Sequence, residues 1–233
     1  MTDIVIVGDS FGVPWNVNPP EYHTEYLLKE LGYNVTNLSV AGTGNRQHML
    51  KLLNYSLSNK APDFIVWFHN NSYANVMLWD TKDSTETRSF SQEFEIANIT
   101  AYNMALNLKN KFKCPWYVIG GAGFLPDIFF KYNIHDEFIN CWRSQILNDD
   151  LPALPIYSYT LDTRYILHEL NSDSTEYKNY LIKHAKIISD KLKGEKELFP
   201  DGHHPGIQPH VKLTMTIHEW IKKHKYKDLT LCT

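Results

Sequence analysis

Cysteine is scarce in this chain: Cys114, Cys141 and Cys232 are odd in number and widely spaced, which excludes a disulfide framework and leaves no CxxC pair for a metal. They read as reduced thiols. Long apolar runs are missing too. No stretch approaches the roughly 20 apolar residues that cross a bilayer, and Met1-Thr2-Asp3 leads straight into Ile4-Val5-Ile6-Val7 without the basic and apolar regions of a secretory signal. The expectation is a cytoplasmic protein with no membrane partner. Nor is there an excess of charge of either sign. A formal net charge of -3 and a pI near 6.4 give no general attraction to phosphate backbones, so nucleic acid is not an expected partner. Internal repeats, low-complexity tracts and linkers are absent, and 43% hydrophobic content over 233 residues suits one domain spanning residues 1–233.

What is present is an alternation of strand-length apolar runs with helix-length segments, the pattern of βαβ units and a parallel sheet. The runs fall at 4–8, 33–38, 64–68, 116–120 and 155–159. Between them, 22–31, 47–58 and 94–112 carry apolar residues at three- and four-residue spacing, and 207–225 closes the chain as another amphipathic helix with Pro209 in its first turn. The expected architecture is a three-layer α/β/α sandwich on a flavodoxin-like five-stranded parallel sheet, ordered 2-1-3-4-5. Residues 71–91 are polar and read as a long loop after the third strand, whereas 161–193 reads as two helices.

The first strand ends in Gly8-Asp9-Ser10-Phe11-Gly12, which sets a hydroxyl at the carboxyl edge of the sheet, where ligands of open parallel sheets bind. The flanking glycines are expected to permit a sharp turn. The pentapeptide also fits the G-x-S-x-G elbow of α/β-hydrolases, but that elbow follows several strands and Ser10 follows one. A serine hydroxyl needs a positioned base, and the base needs a partner that fixes its tautomer. Asp201 and His204 supply that pair in Phe199-Pro200-Asp201-Gly202-His203-His204-Pro205-Gly206. Their three-residue spacing lets the carboxylate bend back to Nδ1 while Nε2 faces Ser10.

These motifs resemble those of the SGNH (GDSL) hydrolase family, in order and along most of the chain. Gly8-Asp9-Ser10 is similar to the first block, Asn37-Leu38-Ser39-Val40-Ala41-Gly42 to the second, and Asp201 to Pro205 to the last. The resemblance implies Ser10, His204 and Asp201 as a catalytic triad, with the Ser10 and Gly42 N–H groups as oxyanion donors. The third block departs from the family's Gly-x-Asn-Asp: His69-Asn70-Asn71-Ser72 lacks the glycine and the aspartate. Asn71 aligns best as the amide donor, with Asn70 the alternative. Viral proteins of similar size also resemble the family with a weakened third block, which keeps a phage origin open.

The expected activity is a serine esterase, with a small-molecule or carbohydrate ester, O-acetyl groups first, as substrate. Phe11, Asn70 and His203 are expected beside that substrate, along with Trp15, Tyr73 and Trp79. The alternative is a binding module of the same scaffold without turnover. No cofactor or metal is expected: His203, His204 and His210 with Asp201 are poorly spaced for zinc. His23, His48, His69 and His184 read as surface or cap residues. Gly120-Gly121-Ala122-Gly123 lacks the G-x-G-x-x-G order of a phosphate loop and reads as a tight strand exit near the site.

Overall fold

Strands in the computed structural model form one five-stranded sheet in the order β2-β1-β3-β4-β5, with every neighbouring pair parallel. They are β1 (Asp3–Val7), β2 (Asn34–Asn37), β3 (Phe64–His69), β4 (Trp116–Gly120) and β5 (Glu137–Ile139). The helices are α1 (Thr24–Glu30), α2 (Asn45–Ser58), α3 (Phe90–Phe112), α4 (Asp127–Lys131), α5 (Trp142–Leu147) and α6 (Ile207–Thr230). The structure describes residues 1–14, 17–70, 90–121, 125–147, 193–201 and 204–230.

Alternation along each strand sends side chains to two cores, one on either face of the sheet. Val5, Val7, Ile65, Trp67, Trp116 and Val118 pack with residues of α2, α3 and α4. Ile4, Ile6, Phe64, Val66, Phe68, Tyr117 and Ile119 pack with residues of α1, α5 and α6. The architecture is therefore an α/β/α sandwich. All six residues of β3 are buried, as a central strand covered on both faces requires.

The fifth strand corrects the sequence reading. The expected strand at 155–159 lies outside the described residues, as do the helices expected across 161–192, and the edge beside β4 is filled by Glu137–Ile139. Those three residues include only one buried side chain, Ile139, so no apolar run announces the strand. The loop expected at 71–91 also lies outside the described residues up to 89, and α3 has begun by Phe90.

Order 2-1-3-4-5 means that the chain leaves β1 toward one edge and later returns to its other side at β3. The carboxyl ends of β1 and β3 thus border the switch-point crevice. Two left-handed glycines serve the connections on either side of β2. Gly32, at φ 87°, ends α1 with its N–H on the Lys29 carbonyl and that of Tyr33 on Leu28, turning the chain into β2. Gly42, at φ 74°, forms the turn between β2 and α2.

Three histidines expected at the surface or in caps are buried: His23, His48 and His69 are 0%, 0% and 1% exposed. His23 does cap α1, its Nδ1 accepting the Glu25 N–H at 3.2 Å. His184 lies outside the described residues. Cys114 and Cys141 are free and buried, and Cys232 lies outside the described residues. Among the described residues no helix is long and apolar enough to cross a membrane.

Candidate active site

Ser10 leaves β1 on a turn that Asp9 organises. The Asp9 Oδ1 accepts the Phe11 N–H at 3.0 Å, and the Asp9 carbonyl accepts the Gly12 N–H at 3.1 Å. An Asx turn and a half-buried hydroxyl thus come from the same four residues. Burial pushes the Asp9 carboxyl up to about 7, against the opposing pull of the Phe11 N–H and of Arg143.

The flanking glycines are needed for a different reason from the one expected. Neither has a positive φ among the described residues; both are needed for close approach. A Cβ on Gly8 would lie 2.6 Å from the Phe68 Cβ in β3, and one on Gly12 would lie 2.3 Å from the Ser39 Oγ. Asn37 completes this stitching, its Nδ2 donating to the Gly12 carbonyl and to Glu25 Oε2, both at 2.8 Å.

His204 arrives from the loop before α6, separated from Ser10 by 194 positions in sequence. Its Nε2 lies 2.9 Å from the Ser10 Oγ, and its Nδ1 lies 2.8 Å from Asp201 Oδ2. The other carboxylate oxygen accepts the His204 backbone N–H at 2.7 Å, so one aspartate holds both the ring and its backbone. A carboxylate beside Nδ1 requires the proton there, which leaves Nε2 as an acceptor for the serine O–H. Burial holds His204 below the usual histidine range, with Asp201 opposing and Arg143 reinforcing that shift. The imidazole is therefore neutral at pH 7.

Phe11 supports this ring rather than lining an open cleft. It is 2% exposed and its centroid lies 5.5 Å from that of His204, because Gly121 and Trp142 close around it. Gly121, directly after β4, makes a close strand exit: it donates its N–H to the His69 carbonyl at 3.3 Å.

The Gly42 turn is bonded to the residue that follows β1, the Val40 N–H donating to the Gly8 carbonyl at 3.0 Å. Asn70 is buried, and its Nδ2 donates to the Thr43 carbonyl at 2.8 Å, joining the third block to the second. Asn71, His203, Trp15, Tyr73 and Trp79 lie outside the described residues.

Sequence reasoning missed Arg143 and Asn45. Arg143 is 1% exposed, stacked over the Phe11 ring at 5.3 Å, and close enough to influence both Asp9 and His204. Nothing in its neighbourhood of sequence marks it. Asn45 opens α2. In the structure its Oδ1 accepts the Asn70 N–H and its Nδ2 donates to the Asn70 carbonyl, both at 2.8 Å. No group of three or more metal-ligating side chains occurs among the described residues.

No family model and no curated protein sequence matches the chain. Solved structures do resemble it. TesA is 14% identical over 95% of this chain and 99% of its own, with a TM-score of 0.47. The psychrotrophic esterase EstA from Pseudoalteromonas sp. is 11% identical over 97% and 100%, also at 0.47. A carbohydrate esterase is 11% identical over 95% of this chain and 65% of its own, again at 0.47. The fold assignment rests on the strand order and register of the sheet itself.

Proposed function

We propose that the chain is a serine esterase in which Ser10, His204 and Asp201 act as a triad. The observation that carries this reading is the position of one imidazole between a strand-end hydroxyl at 2.9 Å and a carboxylate at 2.8 Å. The Ser10 Oγ attacks the ester carbonyl as its proton passes to His204 Nε2. Asp201 stabilises the resulting imidazolium, which then protonates the departing alcohol. Water repeats the sequence to release the acid and restore the serine.

The negative oxygen of each tetrahedral intermediate would lie against the Ser10 and Gly42 N–H groups, with the Asn71 amide as a third donor. Such donors act mainly in the transition state, which is why the altered third block bears on turnover rather than on binding. This chemistry uses only the chain's own side chains and water. We further propose O-acetyl carbohydrate as the substrate class, on the basis of the hydroxyl-rich, aromatic sequence at 71–91 that follows β3.

The test is hydrolysis of p-nitrophenyl acetate, together with labelling by a fluorophosphonate probe, by wild type and Ser10→Ala. Turnover and labelling that both vanish in Ser10→Ala support the reading. Equal rates in the two proteins overturn the nucleophile, and a wild type that neither turns over nor labels identifies a binding module instead.

A further inference from the structure

Beneath the Gly42 turn lies a set of buried polar side chains that the triad does not use. The apex of the turn packs against nothing. Gly42 is exposed, and a Cβ built on it would meet nothing within 4 Å. A donor on such a turn is useful to a developing oxyanion only if something fixes it.

Trp67 in β3 donates its indole N–H to His48 Nδ1 at 3.2 Å, across the buried interface between β3 and α2. An indole N–H can only donate, so His48 Nδ1 must accept and its proton must sit on Nε2. That Nε2–H points at the Thr43 Oγ1, 3.1 Å away. The Thr43 hydroxyl, receiving one hydrogen bond, has its own proton free to give. It donates to the Val40 carbonyl on the other side of Gly42 and lies 3.5 Å from the Gly8 carbonyl at the end of β1. Every link has a single direction, from the core of the sheet outward to the turn.

We propose that Trp67, His48 and Thr43 form a hydrogen-bond relay that fixes the Gly42 turn against the strand carrying Ser10. Thr43 is then a positioning residue for the Gly42 donor. The inference rests on the hydrolase reading above for its catalytic consequence, but the relay itself does not. A second clamp meets the same residue from the third block, where Asn45 grips the Asn70 backbone and Asn70 Nδ2 donates to the Thr43 carbonyl. Thr43 thus receives His48 on its hydroxyl and Asn70 on its carbonyl, which the His48 ring also approaches. Burial holds His48 down to about 3, so the relay stays neutral and keeps its direction throughout the range in which an ester hydrolase works.

Thr43→Val keeps the shape of the side chain and removes the hydroxyl, whereas Thr43→Ser keeps the hydroxyl. With p-nitrophenyl acetate, Thr43→Val is expected to lower kcat by roughly 10- to 100-fold with KM nearly unchanged, as a displaced oxyanion donor would. Thr43→Ser is expected to restore most of kcat. An unchanged kcat in Thr43→Val, a rise in KM alone, or a Thr43→Ser variant as slow as the valine overturns the positioning role. Long-range proton–nitrogen NMR reads the relay without reference to turnover: His48 should be the Nε2–H tautomer, and Trp67→Phe should release that preference. An Nδ1–H tautomer in the wild type overturns the relay. Absence of any Ser10-dependent turnover overturns the hydrolase reading and the catalytic role of Thr43 with it, while the tautomer still decides whether the relay exists.

Discussion

Acidification from pH 6 to pH 4.5 should destabilise this protein steeply, because three imidazoles are folded into places that cannot accept a proton. His23 is held down to about 4 and His48 to about 3, in both cases chiefly by burial, and His210 lies well below its usual value for the same reason. The geometry agrees: the His23 and His210 rings pack tilted against each other with centroids 4.5 Å apart, and His210 Nδ1 is bonded to the Thr24 hydroxyl at 2.9 Å. In the unfolded chain each histidine takes up a proton below about 6.5, whereas in the folded chain His23 and His48 do so only near 4 and 3, and burial holds His210 well below its usual value. Asp9 acts in the opposite direction. Its carboxyl binds a proton near pH 7 when folded but only near 3.8 when unfolded, so it favours the fold as the pH falls through that window. Counting these four groups, the unfolded state at pH 5 therefore holds about two protons more than the folded state, and His135 and His204, both lowered by burial, add to that difference in the same direction.

Two protons correspond to a slope of about 2.7 kcal/mol per pH unit, stability rising with pH. Against a typical total of about 5–15 kcal/mol that is a large fraction. Urea denaturation followed by tryptophan fluorescence at half-unit steps from pH 4.5 to 6 measures it directly. Asp9→Asn should steepen the slope to about 4 kcal/mol per unit, because the opposing titration is gone, and His48→Gln should flatten it by about 1.4. A stability that is level, or that increases, on going from pH 6 to 4.5 would refute the claim that these imidazoles are buried and neutral.

The same geometry carries further expectations. His204→Ala should cost several orders of magnitude in kcat/KM, and far more than His203→Ala, in p-nitrophenyl acetate assays; equal losses would contradict the base. The acid limb of kcat/KM should titrate below pH 6.5, since activity requires neutral His204 and burial lowers its pKa, and a limb above 7 would contradict this. Asn71→Ala should lower kcat by roughly 10²-fold with little change in KM if its amide is an oxyanion donor; near-wild-type kcat would remove it from that role. Gly8→Ala should lower thermal stability by about 1–3 kcal/mol, because its Cβ would sit 2.6 Å from the Phe68 Cβ and 3.0 Å from the Phe68 carbonyl oxygen. A melting temperature equal to wild type would mean that β1 and β3 can part there.

Local pattern in the chain determined the sandwich and the candidates at its edge. Apolar runs such as Ile4-Val5-Ile6-Val7 and Phe64-Ile65-Val66-Trp67-Phe68 are strands because their side chains can fill cores on two faces, and helical periodicity supplies what covers them. Asp201 and His204 are close in sequence, so their pairing was legible from spacing alone. Tertiary structure alone decided the rest. It brought His204 to Ser10 across 194 positions, recruited Glu137–Ile139 as the edge strand without an apolar run, and gave Gly8 and Gly12 their reason in contacts with Phe68 and Ser39. It also buried His23, His48 and His69, which the sequence reads as surface or cap residues, and Arg143, which nothing in the sequence marks. Burial of a polar group depends on which distant donor or acceptor meets it, as Trp67 meets His48, and such a partner leaves no period or spacing in the chain to read.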